Sequence, residues 1–332
     1  MTGQRAEPAG VLVVDKPEGP TSHDVVAVAR RLLRTRQVGH TGTLDPMATG
    51  VLVLCLGRAT RLARFLTGQE KTYRGTLRLG LETDTLDRTG RPAGPEQEVD
   101  ASPQQIAAAM EELTGALWQT PPRFSAKRVD GVRAHRLARA GKPGQPQPVE
   151  VVVHTLSCLG VDGPEVEFEV RCSAGTYVRS LAAELGRALG CGAHLTALRR
   201  MISGEFGLQD ALSLDQMEEL AAAGTLRDRL IPPSRLDLGL PAVTARDEAL
   251  DRLAHGGRLE PSDLEEGPSL AKAMEREPVL CSLGAGGLIR ILAADGSLLA
   301  VGEVEAGGAR IQPRVVLLRP QEQLVPAPPA EA

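Results

Sequence analysis

The stretch GHTGTLDPMATG, residues 39–50, contains a single carboxylate, that of Asp45, and His40 is its only other ionisable residue. An isolated carboxylate can serve as a base or as a nucleophile in catalysis. An Asp that precedes a Pro more often only closes a turn. The residue types alone therefore leave a catalytic and a structural interpretation of Asp45 open.

The two tyrosines of the chain both lie in polar segments that contain arginine. Tyr73 lies in KTYRG, and Tyr177 lies in GTYVRS two residues before Arg179. Aromatic rings stack on unpaired bases and cations bind phosphates, so both segments suit binding of a flipped or single-stranded nucleotide. A half-buried ring with a satisfied hydroxyl is the structural alternative for each tyrosine.

Basic residues are distributed unevenly along this chain of 332 residues, whose net charge is -4. Residues 23–79 contain ten Lys and Arg against three acids, and residues 119–148 form a second basic stretch rich in Pro and Gly. A polyanion bound across both stretches is one interpretation, because each neutralised phosphate releases counterions. Solvated helix faces balanced by nearby acids are the other.

Several classes of protein are excluded by missing motifs. The five cysteines are scattered without a CxxC pair, and no histidines form an HExxH pair, so we expect no metal site. The loop around Asp45 lacks the Lys-Ser/Thr of a P-loop and the GxGxxG of a dinucleotide fold. The first residues resemble no signal peptide, and no apolar run approaches the roughly 20 residues of a membrane span. We therefore expect a cytoplasmic protein that binds no membrane.

The pattern along the chain places Asp45 on an irregular loop. A strand at 11–14 is followed by a helix capped by Thr21 or Ser22, and an apolar run at 51–56 is typical of a buried strand. Further elements are predicted as helices at 58–66, 103–114 and 176–190 and as strands at 72–80, 149–156 and 165–173. A DG turn at 295–296 predicts a hairpin in a small β-rich C-terminal domain. Loops held on such a scaffold commonly carry catalytic residues.

The stretch GHTGTLDPMATG closely resembles the signature of the TruB family of tRNA pseudouridine synthases. Other landmarks of that family follow in order over residues 10–210: Asp15-Lys16-Pro17 with Gly19 and Thr21-Ser22, Lys71-Thr72-Tyr73-Arg74, Thr83-Asp84-Thr85 to Gly90, Gly175-Thr176-Tyr177-Val178-Arg179, and His194-Leu195-Thr196 to Leu198-Arg199-Arg200.

The resemblance implies an α+β catalytic domain over residues 1–235, with a mixed, mainly antiparallel sheet and flanking helices. It also implies an RNA-binding insertion at 119–148 and a PUA-like RNA-binding domain at 236–320, and the proline-rich tail at 321–332 is predicted to be disordered. The implied activity is isomerisation of uridine 55 in the T-arm of tRNA to pseudouridine. The enzyme would need no cofactor and no obligatory protein partner, and would act as a monomer.

The resemblance also assigns roles to individual residues. Asp45 would be the catalytic carboxylate, paired with Arg179, whose guanidinium lowers the pKa of a neighbouring carboxyl. Lys16 would support the loop structurally. The implied substrate-binding residues are His40, Tyr73, Tyr177, Arg179 and Leu198, and the candidates for contacts with the RNA backbone are Lys127, Arg128 and Arg133.

Two alternatives remain open from the sequence. One is a subunit of the related dyskerin class, which works with guide RNA and partner proteins. The other is an RNA-binding or tRNA-folding protein without catalysis. The presence of Asp45, Tyr73 and Arg179 together favours a catalyst over a binding protein.

Overall fold

The computed structural model describes residues 8–125, 127–129, 131–140, 142, 144, 146–265, 287–305 and 310–318. The tail at 321–332, predicted to be disordered, lies outside the described residues.

Fifteen strands and seven α-helices are found in the described part of the chain. The strands are β1 (Gly10–Lys16), β2 (Val38–His40), β3 (Thr49–Leu56), β4 (Lys71–Leu79), β5 (Gly115–Gln119), β6 (Arg128–Val129), β7 (Val132–Arg133), β8 (Val149–Asp162), β9 (Glu165–Cys172), β10 (Ala193–Ser203), β11 (Phe206–Gly207), β12 (Ala242–Thr244), β13 (Leu288–Leu292), β14 (Leu298–Val304) and β15 (Ile311–Val316). The helices are α1 (Ser22–Leu33), α2 (Ala63–Thr67), α3 (Pro103–Glu112), α4 (Ala134–Arg139), α5 (Val178–Ala188), α6 (Leu214–Ala222) and α7 (Leu250–Ala254).

A nine-stranded mixed sheet forms the larger part of the molecule. Its main path runs β1-β3-β10-β4-β9-β8-β5, with β2 paired to β3 and β11 paired to β10. The β3–β10 pair is parallel and the other pairs of this sheet are antiparallel. The predicted α+β fold with a mixed, mainly antiparallel sheet is confirmed.

A second, four-stranded sheet, in the order β12-β13-β14-β15, follows near the C-terminus. The predicted hairpin with the DG turn is confirmed, since β13 and β14 are antiparallel neighbours. The boundary between residues 235 and 236 stays a prediction.

The apolar run in β3 is continuous because both faces of this strand are buried. Leu52 and Leu54 face the core beneath α1 and α5, whereas Val51 and Val53 face a second apolar cluster. That second cluster includes Val301 and other residues of the C-terminal sheet. The period of two along a strand therefore distributes alternate residues between two cores.

Helix α1 begins where the sequence predicts. Thr21 is its N-cap, accepts a hydrogen bond from the amide of Asp24, and is in turn bound by the carboxylate of Asp24. Helix α5 begins at Val178, two residues later than predicted, with Tyr177 as its N-cap. The helix predicted at 58–66 is a 3-10 helix, Gly57–Leu62, followed by α2.

Gly50 of β3 pairs with Arg200 of β10, and we expect this position to tolerate no other residue. Its φ is +98°, and a Cβ there would lie 2.2 Å from the carbonyl oxygen of Arg200. Gly50→Ala should lower the free energy of unfolding by about 3 kcal/mol or more, because strain and collision combine.

Urea unfolding checks this expectation against Gly163→Ala, whose φ is +55° and whose Cβ would meet nothing within 4 Å. The free energy of unfolding of the control should fall by about 1 kcal/mol, because the left-handed backbone conformation alone is unfavourable for alanine. Equal losses in the two variants would contradict the close approach at Gly50.

Candidate active site

The loop between β2 and β3 carries Asp45 and is held by contacts at both sides of this residue. The ammonium of Lys16, which is fully buried, donates to the carbonyl of Ala48 at 2.7 Å. The hydroxyl of Ser22 donates to the carbonyl of Leu44 at 3.1 Å and accepts from the amide of Leu44 at 2.9 Å. These contacts fix the backbone on either side of the carboxylate, which fits the supporting role predicted for Lys16.

Asp45 and Arg179 form a forked ion pair. The guanidinium Nε lies 2.9 Å from Oδ2 of Asp45, and Nη2 lies 3.3 Å from Oδ1. Arg179 lies in the first turn of α5, and its side chain is only 5% exposed, whereas that of Asp45 is 38% exposed. Two parallel contacts of this kind fix the orientation of a carboxylate, and the exposed part of Asp45 stays accessible.

The remaining donors of Arg179 bind three other groups. Nη1 lies 3.4 Å from Oδ2 of Asp87 and donates to the carbonyl of Thr85 at 2.8 Å. Nη2 also donates to the carbonyl of Phe124 at 3.0 Å. The arginine therefore joins the Asp45 loop, the segment after β4 and the start of the basic insertion at a single point.

Asp87 is a site residue that the sequence analysis missed. Its carboxylate accepts hydrogen bonds from the hydroxyl of Thr85 at 2.8 Å, and from the hydroxyl and the amide of Thr89 at 2.6 and 2.9 Å. It is buried and holds the far side of the Arg179 guanidinium. The available signal was an acid flanked by threonines in TDTLDRTG, inside a segment already noted as a landmark.

The pKa of Asp45 is shifted in the direction opposite to the one predicted. Burial raises the pKa of this carboxyl, Arg179 acts to lower it, Asp87 adds to the rise, and Lys16 opposes it. The prediction of a lowered pKa was wrong because the sequence shows the neighbouring cation but not the burial of the loop.

The raised pKa of Asp45 predicts a pH dependence of catalysis. As a base or a nucleophile, Asp45 would react in its ionised form, so the rate should be full above the raised pKa and fall as the pH drops through it. The acid limb should therefore lie above the ordinary range of about 4 for an Asp. Single-turnover rates of product formation from about pH 4 to about pH 8, with folding monitored by circular dichroism, check this. A rate that stays constant down to the ordinary range would contradict it.

The charge of Asp45 affects the pKa of both tyrosine hydroxyls. Tyr73 is buried on β4, where burial raises the pKa of its hydroxyl, Arg200 acts to lower it, and Asp45 adds to the rise. Tyr177 is half-buried, and its amide donates to the side-chain oxygen of Gln119 at 2.7 Å. Burial raises the pKa of Tyr177 as well, with smaller effects of Arg179 and Asp45. The charge of Asp45 thus acts on the hydroxyls of both tyrosines, whose contacts with a substrate stay predictions.

His40 lies at the end of β2, next to the Asp45 loop, and its ring faces that of His23. Its Nδ1 accepts from the amide of Gly42 at 3.4 Å, and its ring contacts that of His23 edge to face, with the centroids 5.4 Å apart. Burial lowers the pKa of His40, and His23 and Arg200 act in the same direction. The neutral ring is therefore the favoured form.

Leu198 lies on β10 beside a cavity of about 400 Å³, which Gly75 and Phe168 also line. The cavity reaches the Asp45 loop at Met47 and the first residue of β3, Thr49, while Asp45 itself does not line it. The structure therefore places Leu198 beside an open space that extends to the Asp45 loop at Met47.

The basic insertion forms a short hairpin, β6 and β7, followed by α4. Lys127 is exposed, and the backbones of Arg128 and Arg133 pair across the hairpin, while their side chains lie outside the described part of the structure. Their predicted contacts with RNA stay predictions. In the described residues, no three His, Cys, Asp or Glu side chains cluster as a metal site, and no helix is long and apolar enough to span a bilayer.

Comparison with known proteins identifies the family. A model described as TruB family pseudouridylate synthase (N terminal domain) matches residues 30–178. A second, described as tRNA pseudouridylate synthase B C-terminal domain, matches residues 179–236. The chain belongs to the TruB family.

Relatives within the TruB family are similar over most of the chain. The tRNA pseudouridine synthase B of Solibacter usitatus is 44% identical over 277 residues, which are 83% of this chain and 94% of that protein. The tRNA pseudouridine synthase B of Syntrophobacter fumaroxidans is 44% identical over 296 residues, which are 89% of this chain and 93% of that protein.

Chains with a similar fold are found in two solved structures of protein complexes. The archaeal box H/ACA sRNP Nop10-Cbf5 complex contains a chain with a TM-score of 0.70 and 27% identity, covering 95% of this chain and 88% of that chain. A Cbf5-Nop10-Gar1 complex gives a TM-score of 0.70 and 27% identity, covering 94% of this chain and 85% of that chain.

Proposed function

We propose that this TruB-family protein isomerises uridine 55 in the T-arm of tRNA to pseudouridine. The observation that carries the proposal is the accessible carboxylate of Asp45, held by the Arg179 fork on a loop that lies within the residues matched by the family model. Relatives named tRNA pseudouridine synthase B, 44% identical over most of the chain, support tRNA as the substrate.

The geometry suits the reaction. The bond between N1 and C1′ must break, the uracil must turn, and C5 must then bond to C1′. A carboxylate in the position of Asp45 can attack the nucleotide or remove the C2′ proton, and both roles need its ionised form. Tyr73 and Tyr177 would contact the flipped uracil together with Leu198, and His40 would help to displace bases of the T-loop.

In this proposal, parts of the chain outside the site bind the tRNA. Lys127, Arg128 and Arg133 of the insertion would bind phosphates of the T-arm, and the four-stranded C-terminal sheet would act as a PUA-type RNA-binding domain. The protein would act in the cytoplasm as a monomer, without a cofactor and without an obligatory protein partner.

The proposal predicts that the purified protein alone releases tritium from a tRNA transcript carrying 5-³H-uridine. Release follows because the C5 proton is lost to water after C5 has bonded to C1′. A transcript with cytidine at position 55 is the matched control, and this single change should abolish the release.

Two outcomes would contradict the proposal. Release that persists with cytidine at position 55 would mean that another uridine is the target. Tight tRNA binding without any release would favour a guide-RNA-dependent enzyme or a non-catalytic RNA-binding protein, the two alternatives left open by the sequence.

A further inference from the structure

Gln119 is a buried polar side chain beside the candidate site, and the proposed roles do not use it. It is the last residue of β5, the edge strand of the nine-stranded sheet, and it is 0% exposed. The preceding residue, Trp118, is 74% exposed, because successive side chains of a strand point to opposite faces. Gln119 therefore points into the molecule, towards the start of α5.

The side chain of Gln119 holds the first turn of α5. Its Oε1 accepts a hydrogen bond from the amide of Tyr177, the N-cap of this helix, at 2.7 Å. In a capping box, the third residue of the helix supplies that acceptor. Ser180, the third residue of α5, does not, since its hydroxyl donates to the carbonyl of Thr120 at 3.2 Å. The helix start is therefore capped from β5 and the residue after it.

The segment 119–124 is held against this turn at a further point. Its two prolines, at 121–122, are buried and fix the φ angles of the backbone. The carbonyl of Phe124 accepts from Nη2 of Arg179 at 3.0 Å. Arg179 is the second residue of α5 and forms the fork with Asp45. One stiff segment therefore contacts both the backbone that carries the arginine and its guanidinium.

The fork depends on the position of the first turn of α5. Nε and Nη2 of Arg179 lie 2.9 and 3.3 Å from the two oxygens of Asp45, and both contacts are kept only over a small range of backbone positions. Thr85 and Phe124 bind the guanidinium itself, whereas Gln119 fixes the backbone from which the side chain extends. A displacement of about 1 Å in such a geometry can reduce a rate by about 100-fold.

We propose that Gln119 is a positioning residue, which fixes the first turn of α5 so that the Arg179 fork holds the Asp45 carboxylate in its reactive orientation. This inference rests on the proposed isomerisation and on the role of Asp45 in it. Because Gln119 acts through the backbone of α5, its loss should slow the reaction of bound tRNA and leave the binding of tRNA unchanged.

The test uses the Gln119→Met variant of the full chain, which nearly keeps the size of the side chain and removes the acceptor. The single-turnover rate should fall by about 10- to 100-fold, while the Kd for tRNA stays within about twofold. The matched control is Gln216→Met. Gln216 accepts from the amide of Ser213 at 2.9 Å at the start of α6, and its loss should change neither quantity.

The pH profile separates this role from a merely structural one. Burial raises the pKa of Asp45, Arg179 acts to lower it, Asp87 adds to the rise, and Lys16 opposes it. A displaced Arg179 lowers this pKa less, so the acid limb of Gln119→Met should move to higher pH, by about 0.5 pH unit or more. A slower variant whose acid limb has not moved would overturn the proposal, and so would a variant with the wild-type rate.

The wild type is measured first, so that an inactive wild type contradicts the proposed function rather than the role of Gln119. A second measurement on the wild type keeps the proposal falsifiable if Gln119→Met does not fold. The chain has only two tyrosines, so labelling with ¹⁵N-tyrosine gives two amide resonances, and Tyr177→Phe assigns them.

The amide hydrogen of Tyr177 should exchange with solvent at least about 100-fold more slowly than in an unstructured peptide, because it is bound by Gln119. An N-cap amide has no partner within its own helix, so the helix alone does not protect it. Exchange of the Tyr177 amide at the rate of an unstructured peptide would overturn the proposal.

Discussion

Asp45→Asn should abolish pseudouridine formation while leaving the affinity for tRNA within about tenfold. The amide has nearly the same shape as the carboxylate, but it can neither attack C1′ nor remove the C2′ proton. The loop should keep its conformation, because its backbone is held by Lys16 and Ser22 rather than by the carboxylate. Product is measured by tritium release and affinity by filter binding.

The matched control for this prediction is Asp15→Asn. Asp15 is also a partly exposed carboxylate paired with an arginine, at 2.7 Å from Arg199, and it lies outside the Asp45–Arg179 pair. The control should retain most of the activity. An active Asp45→Asn variant would contradict the proposal that Asp45 is the catalytic carboxylate.

Arg179→Lys should reduce the single-turnover rate by at least about 100-fold although the charge is kept. An ammonium cannot hold both oxygens of Asp45 and also reach Asp87, so the carboxylate loses its fixed orientation. The carbonyls of Thr85 and Phe124 would also lose a donor. Unsatisfied buried groups of this kind should lower the free energy of unfolding by about 1–3 kcal/mol.

Single-turnover assays and urea unfolding of the same variant separate the effect on the rate from the effect on the free energy of unfolding. Arg171→Lys, on an exposed ion pair with Glu70, is the control for the substitution itself. If Arg179→Lys lost stability but kept the wild-type rate once folded, the arginine would be structural and the proposed orientation of Asp45 would be wrong.

The sequence by itself determined the local setting of the site. The apolar run that became β3 and the capped helix α1 place Asp45 on a loop between packed elements, and this needed only the spacing of apolar residues and a capping threonine. The tyrosine–arginine segments and the resemblance to the family signature then indicated the other residues of the site. These signals are local, so each can be found within about a dozen residues of sequence.

The tertiary structure alone decided which groups meet and how their charges balance. Arg179 is 134 positions from Asp45, and Asp87 was not singled out as a site residue because the arginine that it binds comes from another element. The direction of the Asp45 pKa shift was wrong from the sequence for the same reason. Burial and long-range contacts depend on how distant segments pack, and a cation's position in the sequence does not say how much water the fold removes from its neighbour.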